Sequence, residues 1–198
     1  MKLWPIALAL LAGGVSAGST AVSPKVVLTL IDSVPSTLEL DTIAFDDHQA
    51  AMQGLAAIAT DNGAVDSASR NARLHAISAL SKYCVSSPCD DADPAHQALL
   101  SIIADTTLES TGFDAVVLRA AIEALGPQRV GNDLALLVGQ LASPSRDIRA
   151  AVAHSLRDLC NTQAIGPLRQ QQQAESSDQV KQAITEALRV LGQGSPCQ

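Results

Sequence analysis

Between Tyr83 and Pro94 the chain reads YCVSSPCDDADP, gathering two cysteines, two serines, three aspartates and two prolines in twelve residues. Thiolates can ligate zinc, exchange with other disulfides or pair with each other, and clustered carboxylates can hold calcium or a cationic partner. Zinc sites use two ligand pairs with short internal spacings. The nearby histidines do not supply a second pair, because His75 belongs to one predicted helix and His96 to the next. A redox pair needs Cys-x-x-Cys at a helix N-terminus, whereas Cys84 and Cys89 are separated by four residues and Cys84 ends a helix. For an EF-hand loop starting at Asp90, the glycine and glutamate positions fall on Ala95 and Ser101. A helix start accounts for these residues directly: Asp93 suits the N-cap, Pro94 the first helical position, and Asp90 and Asp91 the positive helix end.

Hydrolytic chemistry finds no purchase elsewhere. The chain has no Gly-x-Ser-x-Gly elbow, His-Glu-x-x-His pair or phosphate-cradling glycine loop. His48 and His154 lie on predicted helices, with no serine or cysteine partner implied by spacing. No catalytic residue, metal ligand or cofactor is therefore expected.

The remaining features bound the compartment and the partner class. MKLWPIALALLAGGVSA reads as a secretory signal peptide: Lys2 gives the positive start, Ile6 to Leu11 the apolar stretch, and Val15-Ser16-Ala17 the cleavage pattern. Cleavage after Ala17 and an exported, soluble product in the periplasm or outside the cell are expected, with no membrane insertion. Without Lys2 the chain has 12 basic residues against 20 acidic ones. From Gly18 to Thr106 the acidic excess is 11 to 4, and from Thr107 onward the balance is 9 to 8. Neither half has the positive footprint that nucleic acid or an anionic membrane needs. Only Phe45, Tyr83 and Phe113 remain as aromatic platforms after the leader. With an even number of cysteines in an exported chain, two disulfides are expected, with three pairings open.

Four ten-residue stretches align without gaps: NARLHAISAL (Asn71 to Leu80), VVLRAAIEAL (Val116 to Leu125), DIRAAVAHSL (Asp147 to Leu156) and QVKQAITEAL (Gln179 to Leu188). Their final leucines lie 45, 31 and 32 residues apart. In the third, Ile148, Ala151, Val152, Ser155, Leu156 and Leu159 form one helical stripe, and the fourth repeats it with Val180, Ala183, Ile184, Ala187, Leu188 and Leu191. The stripe is narrow and rich in small residues, so a neighbouring helix can approach closely. A further helix is predicted before each copy, at about 46–60, 94–105, 131–142 and 162–174, with turn signals between the members of each pair. KVVLTLI, Lys25 to Ile31, reads as a short strand or an irregular apolar arm.

SPSRDIRAAVAHSLRDL (Ser143 to Leu159) and SSDQVKQAITEALRVLG (Ser176 to Gly192) resemble the second helix of HEAT repeats. Asp147, Ile148 and Arg149 match best, then Gln179, Val180 and Lys181; the second copy departs with Leu118 at the basic position, and the first places His75 on the stripe. The resemblance implies an all-α fold, an α-α superhelix (solenoid) of about four HEAT-like helix pairs over 46–192. A short irregular or strand-like arm at 18–45 would precede it, and a tail at 193–198 would follow. In such a stack second helices run parallel, roughly 8–10 Å apart, which implies the pairings Cys84–Cys89 and Cys160–Cys197. The second would tether the tail.

The resemblance implies binding rather than catalysis. The expectation is a monomeric, non-enzymatic protein-binding scaffold or adaptor, its partner another protein. A structural accessory subunit of an envelope complex is the alternative, followed by an enzyme of the chromophore-lyase type. Asp90, Asp91, Arg146, Arg149 and Arg157 are the candidate partner-binding residues, although some of the arginines are expected to pair with Asp147, Asp158 and Glu175. The exported, non-reduced protein should begin at Gly18 and titrate with no free thiol. A reactive thiol would reopen the metal and redox readings.

Overall fold

The computed structural model describes residues 33–43, 48–84 and 89–193. In chain order its helices are α1 (Thr37–Ile43), α2 (His48–Ala59), α3 (Ser67–Tyr83), α4 (Pro94–Asp105), α5 (Gly112–Leu125), α6 (Leu134–Gln140), α7 (Arg146–Leu159), α8 (Ile165–Ala174) and α9 (Asp178–Gly192). Short 3₁₀ turns occupy Gly126–Gln128, Gly131–Asp133 and Thr162–Ala164. Among the described residues there is no strand. The segment Lys25 to Ile31 lies outside them.

The described end of the N-terminal arm is helical, which the sequence reading did not expect. Ser36 and Glu39 explain it. The Glu39 backbone N–H donates to Ser36 Oγ at 3.2 Å, and the Ser36 backbone N–H donates to Glu39 Oε2 at 2.8 Å. This reciprocal capping box satisfies two otherwise orphaned donors and starts a helix from a short polar signal.

Each predicted pair is present: α2 packs with α3, α4 with α5, α6 with α7, and α8 with α9, while α3, α5, α7 and α9 pack on one another in sequence. The four aligned stretches all fall within these second helices. Two first helices begin later than expected, because Gly131–Asp133 and Thr162–Ala164 form 3₁₀ turns ahead of α6 and α8. The stripe in α7 is wider than the sequence stripe, with Ala150 and Ala153 buried beside Ile148, Ala151, Val152, Ser155, Leu156 and Leu159. Neighbours on several sides account for this, since α7 packs against α5, α6 and α9. At the end of the row, α9 buries Val180, Ala183, Ile184, Ala187 and Leu191 but leaves Leu188 partly buried. Burying one leucine or isoleucine of this kind contributes about 1.5–3 kcal/mol.

A backbone-to-backbone contact joins the second and third pairs. Gly126 N donates to the buried Ser155 Oγ at 3.1 Å, and Ser155 Oγ in turn donates to the Ile122 carbonyl. A Cβ on Gly126 would sit 2.5 Å from the Ser155 carbonyl oxygen and 2.7 Å from its Cα. Backbone cannot swing aside as a flexible side chain can. Gly126→Ala should therefore cost about 1–3 kcal/mol, read as a fall in Tm of several degrees. Gly139→Ala is the control, because a Cβ there meets nothing within 4 Å; it should leave Tm unchanged or raise it slightly.

Candidate functional site

The turn between the members of each pair places polar side chains along one edge of the stack. At the third position of the repeat, α3 carries Arg73 and α7 carries Arg149. Arg149 Nη1 donates to the carbonyls of Ser143 and Pro144 at 2.8 and 2.9 Å, holding the turn that precedes its own helix. Its Nε and Nη2 form a two-pronged contact with Glu175 at 2.7 and 2.8 Å, reaching into the fourth pair. Glu175 also accepts from the backbone N–H groups of Ser176 and Ser177 and from Gln171 Nε2. The Arg149 guanidinium, with the help of the Ser177 N–H and Gln171, outweighs burial and pulls the Glu175 carboxyl down to about 2.

Arg73 uses the same position differently. Its side chain is buried, with Nε donating to the Ala59 carbonyl at 2.9 Å and Nη2 to Asn62 Oδ1 at 2.8 Å. Those bonds hold the end of α2 against α3. Burial pushes the guanidinium below its ordinary value, and the charges of Asp114 and Asp61 oppose that shift. Arg73 lies on the wall of a cleft of about 440 Å³ between the first and second pairs. Thr60, Asn62, Ser101, Asp105, Ser110 and Asp114 also line it. Beside it, Arg70 lies over the Phe113 ring at 5.0 Å, tying α3 to the start of α5.

The opposite edge holds the connector between α3 and α4. Cys84 and Cys89 are disulfide-bonded, closing the loop before α4. Asp93 occupies the N-cap position of α4, but its side chain makes no cap hydrogen bond and accepts from Asp90 N at 2.8 Å instead. Asp90 Oδ1 accepts from Ala92 N at 2.7 Å, and Asp91 Oδ2 accepts from Asn132 Nδ2 at 2.8 Å. The two candidate aspartates thus shape the connector and join it to the next one.

Beneath them lies a buried polar group that sequence reasoning missed. His96 Nδ1 lies 2.9 Å from Gln128 Oε1, and its Nε2 lies 3.3 Å from Asp133 Oδ1. Burial pushes the His96 imidazole down, but Asp133 and Gln128 together outweigh it and hold it above its ordinary value. Gln128 and Asp133 fall in a glycine- and proline-containing connector that reads only as a turn.

The structure does not bring the five candidate partner-binding residues together. Asp90 and Asp91 sit on the connector edge, as does Arg157 at the end of α7; Arg146 and Arg149 sit on the turn edge. The expected pairings of the arginines are present. Arg146 lies 3.8 Å from Asp147, Arg157 lies 2.7 Å from Asp158, and Arg149 holds Glu175. Arg149 is an internal brace with little surface left to offer, while Arg146 remains exposed. Cys160 ends α7 in a left-handed conformation, and its expected partner Cys197 lies outside the described residues.

Removing half of a buried ion pair leaves the other charge uncompensated, so Glu175→Gln should lower stability at neutral pH by roughly 3 kcal/mol. Because Glu175 is depressed in the folded state, its contribution is complete above its ordinary value of 4.5 and is lost as pH falls toward about 2. Denaturation across that window should show the parent losing stability faster than the glutamine variant, so that the two curves converge in acid.

Residues 104–189 match the family model of HEAT repeats. No curated protein and no solved structure matched the chain. The matched segment runs from the end of α4 to the last turns of α9, and so takes in the Gly126–Ser155 contact and the Arg149–Glu175 brace. In fold and in sequence, residues 104–189 of this chain are similar to the HEAT-repeat proteins.

Proposed function

We propose that the protein is an exported, non-enzymatic scaffold or adaptor that binds another protein through its repeat surface. The observation that carries this reading is the row of second helices α3, α5, α7 and α9, each packed on the next. Stacking of this kind spends the apolar stripes internally and sets polar edges side by side as an extended surface, the arrangement that repeat proteins use for recognition. The secretory-type leader and the acidic balance of the N-terminal half support a partner met outside the cytoplasm that carries basic or neutral contact groups. Among the described residues no helix is long and apolar enough to cross a membrane.

A second reading, a subunit whose surface is permanently covered in an envelope complex, draws on two exposed valines. Val65 is 76% exposed in the α2–α3 turn, and Val116 is 48% exposed at the start of the second turn of α5. Both belong to the turn edge.

Size-exclusion chromatography with light scattering, followed by capture from the native exported fraction, separates the two. A scaffold should run as a monomer, retain a stoichiometric partner, and lose that partner in Val65→Glu or Val116→Glu while keeping its own Tm. Self-association of the isolated chain, relieved by the same substitutions, would favour the permanently covered subunit. Failure to retain any partner would overturn the scaffold reading.

A further inference from the structure

The two braced arginines differ in one respect. Arg149 has a carboxylate from the following pair, whereas Arg73 makes no ion pair among the described residues. Glu175 stands two positions before Ser177, the N-cap of α9; the same place before Thr111, the N-cap of α5, is Glu109, which is exposed and makes no ion pair with Arg73 among the described residues. Gly112, the first residue of α5, has φ of +62°, and a Cβ built there would meet nothing within 4 Å. The ion pair that closes the interface between the third and fourth pairs is therefore not repeated between the first and second, and a cleft is left beside Arg73. The cleft beside Arg149 measures about 270 Å³ and the one beside Arg73 about 440 Å³, which lies within the range of roughly 300–1,000 Å³ that small-molecule sites occupy.

The charge arrangement selects the ligand. Arg73 is 7% exposed and forms part of the inner wall. Among the described residues its Nη1 donates to nothing, which leaves donors of the planar fork for an incoming carboxylate. Asp105 and Asp114 line the same cleft and are exposed at its mouth. A simple carboxylate would have to pass two negative charges to reach the arginine, and a simple amine would leave the arginine uncompensated. A molecule carrying both groups meets both demands, with its carboxylate leading.

We propose that this cleft binds a small zwitterion of amino-acid or dipeptide size, its carboxylate on Arg73 and its ammonium between Asp105 and Asp114. Thr60, Ser101 and Ser110 also line the cleft; the Thr60 and Ser101 hydroxyls donate to the carbonyls of Ala56 and Ala98, which leaves their oxygens as acceptors for a peptide N–H. This site does not depend on the scaffold reading: it is formed by the first two pairs alone and requires no protein partner.

The test is a titration of the full exported chain with glycylglycine, followed by calorimetry and backbone amide NMR. Saturable binding is expected, with shifts concentrated at 60–73 and 105–114. N-acetyl-glycylglycine and glycylglycine amide, each lacking one charge, should bind about tenfold or more weakly, equal to about 1.4 kcal/mol for each tenfold step. Arg73→Lys could disturb the α2–α3 turn that Arg73 also holds, so Asp114→Asn on the rim is the decisive variant. Asp114 makes none of the bonds that hold that turn, so the variant should stay folded with at most a small fall in Tm from the loss of a charge near Arg73, and lose roughly tenfold in affinity for glycylglycine. The proposal is overturned if no amide in the cleft shifts at about 10 mM peptide, if both blocked peptides bind as well as the free one, or if Asp114→Asn binds unchanged.

Discussion

A HEAT-type helix pair cannot bury its own apolar stripe, and everything else in this molecule follows from how closely the next pair can come. The stripe interleaves small residues with branched ones, so that α7 lies against α5, α6 and α9 with Ala150, Ala151 and Ala153 covered beside Ile148, Val152 and Leu156. At one point even a β-carbon is too much, and Gly126 meets the backbone of Ser155 directly. Close stacking has a second effect. It brings the turns of successive pairs into register, so side chains at one repeat position line up along an edge. Arg73 and Arg149 owe their similar environments to that register, which is why a difference between them carries information.

The parts of the fold legible in the sequence were those governed by short-range periodicity. The second helices announced themselves through the spacing of Ile148, Val152, Leu156 and Leu159 and its copies, and Pro94 marked the start of α4 to the residue. Shorter signals were missed because they carry little hydrophobic pattern. The capping box of Ser36 and Glu39 starts a helix within a segment read as an arm. Gly131–Asp133 is a 3₁₀ turn whose Asp133 is buried against His96, a contact that no local pattern reports.

The candidate site was less legible, for a physical reason. A side chain's type suggests what it can do, and only packing decides whether it remains available. Arg149 looked like a surface cation, yet Ser143, Pro144 and Glu175 absorb its donors. Asp90 and Asp91 looked like an acidic patch, yet both accept hydrogen bonds that shape the disulfide-closed connector and tie it to Asn132. Conversely, Arg73 matched the repeat and attracted no notice. Its importance arises from residues that meet it only when the first two turns are stacked, and from an ion pair that the first joint does not repeat.

The unrepeated ion pair also bears on how the array is coupled. A stack of repeats behaves as a row of units coupled to their neighbours, and the couplings need not be equal. Between the third and fourth pairs the coupling includes a two-pronged ion pair; between the second and third it includes the Ser155 bridge to Gly126 and Ile122. Between the first and second, on the turn edge, a cleft stands where the ion pair would be. The joints along the row are thus held by different chemistry: an ion pair toward the C-terminal end, a hydroxyl bridge in the middle, and at the first joint the Arg70 guanidinium over the Phe113 ring beside an open cleft.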